Sequence, residues 1–123
     1  MQQIKAIRRK ALRMILSAGR DSLPNEFGTA LRAKDGVITE LILVPGTMSG
    51  KRSALMRLHM LPIDMSIVGS AHTHPSGSCR PSEADMDFFS HFGYVHIIAC
   101  YPFTERDWAC YNIRGEQRPL EVV

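Results

Sequence analysis

The chain has 123 residues, a net charge of +3, 45% hydrophobic residues and 22% charged residues. That length and balance are those of one globular domain spanning residues 1–123. No apolar run approaches the ~20 residues of a membrane span, and the start Met1-Gln2-Gln3-Ile4-Lys5 lacks the apolar stretch of a secretion signal. A cytoplasmic location without a membrane partner is therefore expected.

In chain order, Ile4, Ile7, Ala11, Leu12, Met14, Ile15 and Ala18 recur at helical spacing with charges in the gaps. They predict an amphipathic helix of about four turns, stopped near Gly19 by glycine chemistry. Lys5, Arg8, Arg9, Lys10 and Arg13 concentrate positive charge on this segment. Without aromatic interleaving or a nucleic-acid module they read as a solvated helix face, and no nucleic-acid partner is expected. Residues 26–32 and 37–44 predict two strands, joined at Lys34-Asp35-Gly36 by a hairpin turn. A polar loop at 47–51 leads to a third strand over 53–59, and 61–64 is a break. Residues 66–73 predict a buried strand, 75–81 a proline-stiffened loop, and 82–91 a helix with Met86, Phe88 and Phe89 turned inward. Residues 94–101 and 107–113 predict the last strands, and 115–123 a tail whose pairing stays open. The fold class is therefore mixed α/β (α+β): a mixed sheet with helices packed on it.

The chemistry concentrates in His72-Thr73-His74-Pro75 and Pro81-Ser82-Glu83-Ala84-Asp85. Alternate residues of a strand face the same way, so His72 and His74 can reach one ion. Ser82 and Asp85 share a helix face, which by itself is also the pattern of a helix capping box. Two imidazoles and one carboxylate, with a fourth position left to water, is the ligand count of a catalytic zinc. A barrel phosphoesterase with His-x-His needs a much longer chain. The His-Glu-x-x-His of zincins and the Pro-Cys-x-x-Cys of deaminases are absent. Cys79 as a thiolate ligand is the remaining alternative. Cys79, Cys100 and Cys110 lack zinc-knuckle spacing, and an odd count suggests reduced thiols, with one disulfide still possible.

The run His72-Thr73-His74-Pro75, six further residues, Ser82 and then Asp85 resembles the His-x-His-Pro-x(6)-Ser-x-x-Asp signature of JAMM (MPN-plus) zinc metalloproteases. Glu26 stands where that family carries an upstream glutamate, and Thr73 replaces the commoner serine. The likeness is to small archaeal members and extends over nearly the whole chain, including Met60-Leu61-Pro62-Ile63 and His96-Ile97-Ile98-Ala99-Cys100. It implies a cytidine-deaminase-like MPN/JAMM domain with a mostly antiparallel sheet. It also implies one Zn2+ per chain on His72, His74 and Asp85, Glu26 as general acid and base, and Ser82 as oxyanion donor. The implied substrate is an amide after the C-terminal glycine of ubiquitin or a ubiquitin-like modifier. The alternatives are a sulfur-carrier protein with the same Gly-Gly tail, or a non-catalytic MPN scaffold. An exposed edge in residues 47–59 is the candidate docking strand for such a tail. Cys79 in the loop and Cys100 on the apolar strand are a candidate disulfide that would staple the loop. The oligomeric state is left open, a homodimer among the options.

Overall fold

The structure is a computed structural model and describes residues 1–42 and 64–123. Its elements are β1 (Ala6–Ile7), α1 (Arg9–Ser22), β2 (Gly28–Lys34), β3 (Val37–Ile42), β4 (Ile67–His74), α2 (Glu83–Phe89), β5 (Val95–Cys100), β6 (Trp108–Tyr111), β7 (Gln117–Arg118) and β8 (Glu121–Val122). The strand expected over 53–59 and the docking loop at 47–51 lie outside the described residues.

The strands form one sheet in the order β7-β6-β5-β4-β2-β3-β1-β8. The β2–β3, β2–β4, β5–β6 and β6–β7 pairs are antiparallel, whereas β4–β5, β1–β3 and β1–β8 run parallel. This is the expected mixed, mostly antiparallel sheet. Its central strands carry Val, Ile, Ala, Gly and Ser because both of their faces are covered. The pairing steps from Leu31↔Gly69 to Arg32↔Ile67, which leaves Val68 as an extra residue in β4. A side chain at Gly69 is impossible, since its Cβ would sit 1.6 Å from the Val95 carbonyl oxygen. Beyond this bulge the alternation is regular. Ser70, His72 and His74 then share one face, and Ala71 and Thr73 the other.

α1 covers the Ala71 face. Ala11, Leu12, Ile15 and Leu16 pack there with Leu31, Val95, Ile97 and Phe103. Each fully buried Leu or Ile contributes roughly 1.5–3 kcal/mol. α2 covers the histidine face, where Phe88 and Phe89 pack with Ala30, Ile98 and Tyr111. One layer of sheet between two helices thus gives the chain two unequal cores.

Three expectations need correction. The first helix starts later and ends later than its apolar spacing suggests. Ile4, Ala6 and Ile7 are buried at β1, where Ala6 and Ile7 pair with Val37 and Ile38 of β3. Gly19 does not stop the helix. It lies inside α1, and the position is glycine because a Cβ there would be 2.6 Å from the Phe103 ring. Met86 faces outward at 38% exposure, while Phe88 and Phe89 do turn inward. The tail pairs at both ends of the sheet, through β7 on β6 and β8 on β1. The basic N-terminal segment is a solvated face, where Arg9 and Arg13 pair with Glu105. Among the described residues no helix is long and apolar enough to cross a membrane.

Candidate metal centre

His72 and His74 close β4, both aimed at the α2 layer. The loop over residues 75–82 then returns the N-terminus of α2 above them. Ser82 is the N-cap, and a complete capping box forms. Its Oγ accepts the Asp85 N–H at 3.1 Å, and Asp85 Oδ2 accepts the Ser82 N–H at 2.9 Å. The box fixes the Asp85 carboxylate with its oxygens toward the histidines. Oδ1 lies 3.2 Å from His72 Nε2, and Oδ2 lies 3.2 Å from His74 Nε2. The two Nε2 atoms are themselves 3.2 Å apart. The capping box of Ser82-x-x-Asp85 is present and is compatible with the metal reading, because Asp85 Oδ1 and the remaining lone pairs of Oδ2 still face the histidines.

The edges of this triangle test the metal. Tetrahedral zinc with bonds of about 2.0–2.1 Å holds its ligand atoms about 3.3 Å apart. The two Nε2 atoms, and each Nε2 with its own Asp85 oxygen, are 3.2 Å apart, close to that spacing, and one ligand atom from each residue lies within 4.8 Å of the others. The group is buried, with His72 at 1% exposure and Asp85 at 7%. A carboxylate so placed needs positive partners. Burial pushes the Asp85 carboxyl up, but hydrogen bonds from both histidines and the Ser82 N–H outweigh it and hold the group well below the usual carboxylate range. Burial pushes His74 down, and its bonds to Asp85 and the Ser78 carbonyl, with the charges of Asp85 and Glu26, raise it overall. A single Zn2+ fits this set of donors.

The loop is built to keep the imidazoles in place. His74 Nδ1–H donates to the Ser78 carbonyl at 2.9 Å, so Nε2, which bonds Asp85 here, is the nitrogen that would give its lone pair to a metal in place of that bond. Tyr101 N–H reaches the carbonyls of His74 at 3.1 Å and Ser76 at 3.0 Å. Tyr111 Oη donates to the Cys79 carbonyl at 2.6 Å. A disulfide joins Cys79 to Cys100 with Cα atoms 5.2 Å apart. Cys79 is therefore a staple and not a ligand, and the reduced-thiol expectation holds only for Cys110, which is buried and free.

Glu26 stands just before β2 and not within it, half-buried. The β2–β4 register pairs Gly28 with His72. Carried back two residues along the chain, it sets Glu26 opposite His74, on the metal face. Glu26 is close enough to help raise the His74 pKa. The pairing is extended by Thr73, whose N–H donates to the Phe27 carbonyl at 2.9 Å and whose Oγ1 accepts the Phe27 N–H at 2.9 Å. Ser82 is exposed at the mouth of the group. Its oxygen already accepts the Asp85 N–H, so its own proton is left to donate outward. The sequence reading missed Thr73 and Tyr111. A hydroxyl at a fully buried strand position was the one available signal, since such a group needs a partner.

The chain matches the family model described as prokaryotic homologs of the JAB domain over residues 8–111. It is 38% identical over 132 residues to a protein of Haloferax volcanii named a probable metalloprotease, covering 99% of this chain and 81% of that one. A solved structure described as JAMM, a metalloprotease-like zinc site in the proteasome and signalosome, is 40% identical with a TM-score of 0.79, covering 98% of both chains. A JAB1/MPN domain protein from Archaeoglobus fulgidus is 43% identical with a TM-score of 0.79, covering 96% of this chain and 98% of that one.

Proposed function

Because the chain belongs to the prokaryotic homologs of the JAB domain and carries a JAMM-type metalloprotease centre, we propose that it hydrolyses the amide bond after the C-terminal glycine of a ubiquitin-like modifier. The observation that carries this reading is the triangle of His72 Nε2, His74 Nε2 and Asp85, with Glu26 and Ser82 at its rim. A structural zinc would be closed by a fourth protein ligand. Among the described residues the metal group is His72, His74 and Asp85 alone.

Held by these three side chains, zinc supplies Lewis acidity, which makes water acidic near neutral pH. Glu26 takes the proton of the attacking water on its carboxylate and passes it to the leaving amine nitrogen. Ser82 donates its hydroxyl proton to the scissile carbonyl oxygen as that atom gains charge. Asp85 keeps its cap and its metal-facing oxygens together, so α2 is the frame on which the oxyanion donor and one ligand are set. Ser82 is exposed beside the buried His72 and Asp85, so an extended Gly-Gly tail is the form of substrate this reading assigns to the site. The same tail on a sulfur-carrier protein would enter in the same way.

The test is incubation of zinc-loaded protein with lysine-linked ubiquitin-like conjugates, a linear fusion, and a sulfur-carrier protein extended past its Gly-Gly. Each is run with and without chelator, with products read by mass. Cleavage after the terminal glycine, abolished by chelator and restored by zinc, is expected for at least one modifier. Absence of cleavage on every substrate, or cleavage indifferent to chelator, would overturn the proposal.

A further inference from the structure

Two buried ring nitrogens have no hydrogen-bond partner among the described residues: His72 Nδ1 and His96 Nε2. They belong to neighbouring strands. In the parallel β4–β5 register Ser70 faces His96, and His72 lies two residues further along the same face. His72 and His96 are thus diagonal neighbours under α2. The Phe89 ring packs against both, with centroids 6.2 Å from His72 and 4.2 Å from His96. Both histidines are essentially inaccessible, at 1% and 0% exposure.

Each orphan has an identified partner on its other nitrogen. His72 Nε2 faces Asp85 and the metal position. His96 Nδ1 shares a 2.7 Å hydrogen bond with Ser70 Oγ. A ring whose Nε2 gives its lone pair to a metal must carry its proton on Nδ1, so His72 needs an acceptor inside the protein. The corresponding need of His74 is met by the Ser78 carbonyl. For His72 no such carbonyl is bonded among the described residues, and an unmet buried donor is destabilising. The two orphan nitrogens are not in direct contact, since no bond joins them, yet His72 acts electrostatically on His96. The Phe89 backbone also has a hydrogen-bond interaction with the His96 ring, one that falls short of full bond geometry. A water held inside a protein needs at least two polar partners, and these two ring nitrogens would supply them.

We propose that His96 is the positioning residue for the ligand His72, acting through one buried water that accepts the His72 Nδ1–H and bonds His96 Nε2. Ser70 Oγ anchors the far side of the His96 ring. The chain Ser70–His96–water–His72 fixes the tautomer and ring angle of His72, as Ser78 does for His74. This inference depends on His72 being a metal ligand, as the functional reading holds.

The test compares wild type, His96→Phe, His96→Gln and Ser70→Ala by zinc affinity in chelator competition, and by the visible spectrum of the cobalt-substituted protein. Loss of an outer hydrogen bond to a ligating histidine typically weakens metal binding 10–100-fold. His96→Phe is expected to lose about that much and to shift the cobalt bands, with His96→Gln recovering most of both, while circular dichroism stays native. Wild-type affinity and spectrum in a folded His96→Phe would overturn the inference. Should His96→Phe fail to fold, the imidazole NMR spectrum of zinc-loaded wild type decides. A slowly exchanging His72 Nδ1–H with a cross-peak to bound water supports the relay, and a rapidly exchanging one without that peak overturns it. If wild type binds no zinc, or His72→Ala binds it as tightly, the metal reading itself has failed, a result distinct from a silent His96→Phe.

Discussion

Thr73 holds Phe27 by both of its polar groups, giving its N–H to the Phe27 carbonyl and taking the Phe27 N–H on Oγ1, each at 2.9 Å. The residue between the two metal-facing histidines therefore fixes the backbone that carries Glu26. Thr73→Val keeps the shape and removes the acceptor. It should cost about 1–3 kcal/mol of stability for the orphaned buried N–H and lower turnover more than zinc affinity. Thr73→Ser should restore both, since it keeps the oxygen. Denaturant titration beside metal competition checks this, and equal stability for Thr73→Val and wild type would count against it.

Glu26→Gln keeps the side-chain volume and removes the base. Zinc stoichiometry should stay near one per chain while hydrolysis falls about 10²–10⁴-fold. Near-wild-type turnover would remove Glu26 from proton transfer. His74→Ala and Asp85→Ala should instead bring bound zinc below one per chain, read by metal analysis.

Ser82 has two roles that substitutions can separate. Ser82→Ala should lose about 1 kcal/mol with the cap, and Ser82→Gly only a few tenths. Both should lose a similar 10²–10³ in rate if the hydroxyl donates to the oxyanion. A rate loss that tracks stability across the two variants would assign Ser82 to capping alone.

The Cys79–Cys100 disulfide has a sequence separation of 21 and closes the segment that carries Ser82 and Asp85. Removing it by Cys79→Ser with Cys100→Ser should cost about 3 kcal/mol and weaken zinc binding, since the loop then hangs on the Tyr101 and Tyr111 hydrogen bonds. Alkylation under denaturing conditions should label one thiol, Cys110, without reductant and all three with it.

His96 gives the fold an acid limit. Burial, with the nearby His72, pushes its pKa down to about 3. Its surroundings are Ser70 and His72 from β4, Phe88 and Phe89 from α2, and Tyr111 from β6. None of these supplies a carboxylate to stabilise a charged ring. The unfolded chain takes up a proton near the ordinary histidine value of about 6.5, which the folded chain refuses until about 3. The contribution is therefore complete above about 6.5 and lost as pH falls toward about 3, at up to about 1.4 kcal/mol per pH unit. Chelated wild type should show this slope in urea melts, and chelated His96→Phe should show it reduced. Parallel pH profiles for the two would refute the assignment.

Much of the centre was legible before any fold was known. His72 and His74 at strand spacing, and Ser82 and Asp85 at helix spacing, name the ligand types because period-2 and helical geometry place each pair on one side. The two central strands were legible too, read as 66–73 from Ile67, Val68 and Ala71 and as 94–101 from Val95, Ile97, Ile98 and Ala99, apolar residues that need a covered sheet. Where the spacing misled, a long-range partner had intervened. Ile4 and Ile7 keep helical period yet are buried at β1, because β3 and the C-terminal β8 supply strand edges that the sequence cannot announce. Gly19 reads as a helix stop until the Phe103 ring is known to lie against it.

By itself, then, the sequence singled out the candidate side chains, His72, His74, Ser82 and Asp85 because local periodicity sets which residues share a face, and Glu26 through the family resemblance. Tertiary structure alone decided how they meet. The capping box turns Asp85 onto both histidines, Thr73 sets the backbone beside Glu26, Tyr111 and the disulfide fasten the loop, and His96 stands behind His72. The capping box itself is local, but the other contacts, and the meeting of Asp85 with the histidines, join different elements, and their closure is set by the packing of α2 and β5 on β4.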